Sequence, residues 1–181
     1  DRSNELVSDP WYLANFLLNA HANGLDVVAW YLPKWNENGE DLERLLALAD
    51  FEVLGHKFDG LAVDIEWNSD GLEHQERSAR LVKLSKGLRE NLKDRVLGAI
   101  VMPPVVTDVI NSNFWPEFPW SDLESLYDVW LPMNYWSFRT EEHADSNYYN
   151  SENIKLLRRN LSNRDILVHP IGGVGLADGT A

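Results

Sequence analysis

The sequence predicts an α/β chain of parallel βα units, read as an incomplete (β/α)8 TIM-barrel of about five units. Five short apolar runs bounded by turn signals alternate with stretches of helical spacing, and no β-hairpin turn signal stands between the runs. No Gly-rich phosphate loop follows any run, and polar or aromatic residues collect at the C-terminal ends of several, where barrel enzymes keep their chemistry. A doubly wound sheet fits the alternation as well; the last two features favour the barrel.

The elements follow in order. Asp9-Pro10 opens a helix, with an acid placed to cap and Pro in the first turn, and Trp11, Leu13, Ala14, Phe16, Leu17 and Leu18 give it a broad apolar stripe that stops at Asn23-Gly24. Residues 25–32 form a nearly continuous apolar run closed by Pro33, the pattern of a strand covered on both faces. Helical spacing returns over 42–54, and 58–66 reads as the second strand. A long amphipathic helix is predicted over 70–92, with Leu72, Ala79, Leu81, Val82, Leu84, Leu88 and Leu92 facing inward. The third strand spans 95–102 and closes at Pro103-Pro104. A Trp- and Pro-rich loop over 114–120 leads to a short helical turn at Ser121-Asp122. The fourth strand covers 128–135, a helix 151–161, and a fifth strand 165–171.

Composition sets the outer limits. The 181 residues suit one domain, residues 1–181, and 44% hydrophobic with 25% charged residues is average for a soluble protein. A net charge of -13 argues against nucleic acid, whose binding rests on clustered Lys and Arg. No apolar run approaches the roughly 18 residues of a membrane span. With no cysteine, disulfides, thiolate metal sites and cysteine nucleophiles all fall away. The five His show no ligand spacing, so neither a metal nor another cofactor is predicted. A full barrel needs roughly 250 residues, and the chain lacks an initiator Met and stops within a loop at 172–181, so it reads as a piece of a longer protein.

The residues that carry chemistry lie at the end of the second strand. Side chains alternate across a strand, so Ala62, Asp64 and Glu66 share one face, and Leu61, Val63 and Ile65 the other. Packing the aliphatic set beneath helices leaves two carboxylates inward at the mouth of the barrel. Like charges close together and partly desolvated push one pKa upward, and an acid held protonated beside an ionised one is what glycoside cleavage requires. Acids at a strand end also serve as helix caps or partners of Arg, so the pair alone leaves both uses open. Eight Trp and six Tyr supply flat faces for sugar rings; some must be core, and Tyr31, Trp67 and Trp136 are the ones expected to line a cleft.

The run Asp59-Gly60-Leu61-Ala62-Val63-Asp64-Ile65-Glu66 resembles the Asp-Gly-x-Asp-x-Asp-x-Glu signature of family-18 glycoside hydrolases, the chitinases and endo-N-acetylglucosaminidases. Met133-Asn134-Tyr135 resembles the Met-x-Tyr that ends a later strand in that family. Ala62 stands where the middle Asp belongs, and Trp136 replaces the usual Asp. The resemblance implies Glu66 as acid and base, Asp64 as orienter of the substrate's N-acetyl group, and Tyr135 as holder of that acetamide. Met133, Asn134 and Trp136 would stand beside them in the sugar site. It also implies a carbohydrate partner, no cofactor, and a secreted or cell-surface setting. Two alternatives stay open: a catalytically silent barrel that binds carbohydrate, suggested by Ala62 and the aromatic count, and a glycosidase of another barrel family that pairs Glu66 with a carboxylate elsewhere.

Overall fold

The structure, a computed structural model, describes residues 6–66 and 71–172. Its centre is a five-stranded, wholly parallel sheet of β1 (Val28–Tyr31), β4 (Gly60–Ile65), β5 (Leu97–Val101), β6 (Val129–Pro132) and β7 (Leu167–Val168). The strands lie side by side in chain order, with no reversal. Five helices accompany them: α1 (Pro10–Ala22), α2 (Glu40–Asp50), α3 (His74–Leu92), α4 (Trp120–Leu123) and α5 (Ser146–Asn160).

The two faces of the sheet differ. Ala29, Leu61, Val63, Ile65, Leu97, Ala99, Val101 and Trp130 pack against Leu17 of α1, Leu45 of α2, Leu81, Leu84 and Leu88 of α3, Leu123 of α4 and Leu157 of α5, so each of these five α-helices packs on the same face. The opposite face holds Ala62, Ile100 and Met133, joined by Met102, Leu131, Tyr135 and Ile171, with no helical residue among them. A doubly wound sheet would put helices on both faces. The inner face of β4 and β5 carries small residues at its centre: a Cβ on Gly98 would stand 2.7 Å from Leu131 Cδ1 and 3.2 Å from Ala62 Cβ, so a side chain there requires Leu131 to turn aside and Ala62 to give way.

Several expectations need correction. α1 has its Asp9 cap, accepting from Tyr12 N–H at 3.1 Å, but of the predicted stripe only Leu17 is buried, and Trp11, Tyr12 and Phe16 stand exposed. β1 is not covered on both faces: Ala29 is buried while Val28 and Trp30, on the inner face beside Gly60 and Ala62, are half exposed, because an edge strand beside such small residues lacks cover there. The helix expected over 42–54 ends at Asp50, and a hairpin of β2 (Glu52–Val53) and β3 (His56–Lys57) follows. Its two-residue turn, Leu54-Gly55, has both residues at positive φ (50° and 82°), the geometry of a type I′ turn carried by an atypical first residue. In α3 the inward row is Arg77, Leu81, Leu84, Ser85, Leu88 and Leu92, while Ala79 faces solvent. Arg77 is tolerated there because its guanidinium donates to Leu72 O and lies 5.1 Å over the Trp115 ring. α5 begins five residues ahead of its predicted start, where Asp145 accepts from Tyr148 N–H at 2.7 Å.

Candidate functional site

β4 runs apolar on the helix-covered side and delivers Asp64 to the inner face as its penultimate residue, with Glu66 directly after the strand. Asp64 is 5% exposed, and among the described residues its Oδ1 has no hydrogen-bond partner. An uncompensated buried carboxylate is costly, so such a group takes up a proton or a ligand donor. Burial, followed by the negative charge of Glu66, pushes the Asp64 pKa up to about 7. Glu66 itself is half-buried.

β6 brings the third group. The strand ends at Pro132, and Met133 bridges in parallel to Ile171, so the chain holds its course one step further before a 3-10 turn over Trp136–Phe138. Met133 and Tyr135 both pack with Ala62 and Ile100 on the inner face. The Tyr135 hydroxyl pKa is raised by burial, then by the charge of Asp64 and then by that of Glu66, so the two acids and the phenol share one electrostatic neighbourhood. Met102, Leu131 and Ile171 pack with Tyr135 on the Ala62, Ile100 and Met133 cluster, so the phenol ring stands on an apolar bed.

The other predicted residues are placed differently. Tyr31 is a correction: it packs against the helix-side core, and its hydroxyl donates to Asp41 Oδ1 at 2.9 Å, an oxygen that also accepts from Lys34 N–H at 3.0 Å. Burial and that carboxylate hold its phenol well above the usual range. Strand alternation is the reason, since Trp30, not Tyr31, shares the inner face with Ala62. Asn134 turns away from Tyr135: it is fully buried and its Nδ2 donates to Asn150 Oδ1 at 2.8 Å, tying the end of β6 to α5. Trp136 packs on Val105, Tyr149 and Leu156, not on the inner-face cluster. Trp67 lies outside the described residues.

Most of the remaining aromatics are core. Trp35, Trp115, Phe118, Trp120, Trp130 and Tyr127 form a chain of ring contacts with centroids 4.4 to 6.0 Å apart beneath the helices. Several others are exposed, Trp11, Tyr12 and Phe16 on α1 among them; Trp30, 58% exposed, stands on the same face of the sheet as Asp64. Nothing within the apolar run of β1 distinguishes its two faces, so no local signal shows that Trp30 and not Tyr31 shares the face of Asp64.

The cluster offers a general acid or base, a buried acceptor in need of a donor, and a hydroxyl, on a face against which no α-helix among the described residues packs. No helix among the described residues is long and apolar enough to cross a membrane. No family model, no curated protein and no solved structure matches the chain.

Proposed function

We propose that the chain is part of a (β/α)8-type glycoside hydrolase acting on an N-acetylhexosamine-containing polysaccharide, chitin-like or peptidoglycan-like. The observation that carries the proposal is Asp64, buried, with Oδ1 unpartnered among the described residues and its charge felt jointly with that of Glu66 at Tyr135. Support for the barrel comes from five parallel strands in unbroken chain order with all helices on one face.

In this reading the Asp64–Glu66 pair enters the reaction with one proton, held by Asp64 in the free protein, and Glu66 delivers it to the glycosidic oxygen as the bond to the anomeric carbon breaks. The substrate's own acetamide oxygen attacks that carbon, so no protein nucleophile is required. Asp64 Oδ1 accepts the acetamide N–H, which gives the orphaned oxygen its partner, and the Tyr135 hydroxyl donates to the acetamide oxygen. Glu66, now ionised, removes a proton from the water that opens the cyclic intermediate.

Glu66→Gln tests the assignment on chitin oligosaccharides and peptidoglycan fragments. Reducing-end release is expected to fall about 10²–10⁴-fold with binding retained; unchanged release by the variant refutes the role given to Glu66. One observation favours a second reading, a silent carbohydrate-binding barrel: position 62 is a fully buried Ala packed against Ile100 and Met133, so no third acid shares a proton with Asp64. Wild-type protein that binds these sugars and releases no reducing ends supports that reading.

A further inference from the structure

At the other end of β4, Asp59 makes two backbone bonds with Val27: its N–H donates to Val27 O at 2.9 Å and its Oδ2 accepts from Val27 N–H at 2.7 Å. The same Oδ2 lies 3.0 Å from His21 Nε2, in the last turn of α1, and His21 Nδ1 lies 2.7 Å from Nδ1 of His56 in β3. The two imidazole rings stand 4.9 Å apart. A carboxylate only accepts, so His21 carries a proton on Nε2. Two nitrogens at 2.7 Å then have room for one proton between them, because a second would set N–H against N–H on two cationic rings.

We propose that His21 and His56 form a one-proton clip that holds α1 against the β2–β3 hairpin and opens when the pair takes up a second proton. The charged and titratable groups on the elements packed together here are His21 and Tyr12 on α1, Glu52, His56 and Lys57 on the hairpin, and Asp26 and Asp59 on the connections into β1 and β4. Glu52 and Lys57 pair with each other at 3.2 Å. Asp59 is bonded to the far nitrogen of the His21 ring, away from His56, so it does not stand against a charge on the second ring. Imidazoles change charge between pH 5 and 8, so the clip is closed at the upper end of that range and released at the lower.

The geometry favours a proton over a metal ion. Among the described residues no group of three or more His, Asp or Glu gathers as a metal site. Two imidazole nitrogens on one tetrahedral zinc would stand roughly 3.3 Å apart, wider than this pair. At about 3.3 Å per residue, the clip also lies roughly 16 Å along β4 from Asp64, so it acts on the hairpin and α1 and not on the carboxylate pair.

Long-range proton–nitrogen NMR of the imidazoles from pH 8 to pH 5, with amide exchange over residues 15–23 and 52–58, tests the clip. The expected result is coupled titration of His21 and His56, and protection factors that fall about three- to tenfold as the pH drops, the equivalent of one hydrogen bond. His56→Gln is expected to show the low protection at both pH values. Independent titration of the two rings, the same pH dependence in His56→Gln, or saturable zinc binding that His56→Gln abolishes would each overturn the proposal.

Discussion

Replacing Asp64 by Asn gives the sharpest test of the electrostatics of the inner face. A carboxyl whose pKa is raised by folding binds more protons in the native than in the unfolded state, so its contribution to stability falls as the pH rises from the unfolded value toward the folded one. With a folded pKa of about 7 and an ordinary carboxyl in the unfolded chain, Asp64 costs the native state about 2.5 kcal/mol more at pH 8 than at pH 5. The perturbation is local: Oδ1 has no partner to lose among the described residues, and Asn keeps the shape of the side chain. Urea unfolding followed by Trp fluorescence, with eight Trp as reporters, gives the stability of both proteins at each pH. The difference between variant and wild type is expected to grow by that amount from pH 5 to pH 8, which moves the relative midpoint by roughly 1 M urea. An equal difference at the two pH values would show that Asp64 ionises like a surface acid and would remove the physical basis of the site.

Three further outcomes follow from particular contacts. Tyr135→Phe keeps the ring packed with Met133 and Ala62 but removes the hydroxyl, so kcat/KM on N-acetylated oligosaccharides is expected to drop about 10- to 100-fold with thermal stability little changed; equal activity would remove Tyr135 from the site. Gly98→Ala sets a methyl 2.7 Å from Leu131 Cδ1, the far end of a side chain that can turn aside, and 3.2 Å from Ala62 Cβ; a cost of about 1 kcal/mol is expected in denaturant unfolding, against no loss if β5 and β6 simply spread. Leu54→Gly relieves a left-handed residue at φ 50° whose side chain is 86% exposed, and a gain of about 1 kcal/mol is expected by the same assay.

Much of this architecture is legible in the sequence because strand alternation and helix caps are local signals. The assignment of Leu61, Val63 and Ile65 to the helix side and Ala62 and Asp64 to the other needs only a period of two and one aliphatic set to anchor it. Met133 and Tyr135 follow by the same rule. Where local signals are equal on both faces, as in Val-Ala-Trp-Tyr of β1, the burial pattern depends on partners far along the chain, Gly60 and Ala62 on one side and Asp41 on the other. Likewise Leu54-Gly55 does not look like a turn because Leu rarely adopts positive φ, and Arg77 does not look like a core residue because its partners, Leu72 O and the Trp115 ring, come from loops. The His21–His56–Asp59 contacts join residues 35 and 38 positions apart, and no sequence spacing announces them.

In the proposed function Asp64, Glu66 and Tyr135 act on one sugar. A crystal structure of Glu66→Gln with a bound N-acetylhexosamine oligosaccharide tests it most directly. The expected complex has the acetamide N–H within hydrogen-bond distance of Asp64 Oδ1, the acetamide oxygen at the Tyr135 hydroxyl, and a glycosidic oxygen at residue 66. A sugar bound elsewhere on the chain, with Asp64 Oδ1 still unpartnered, would contradict it.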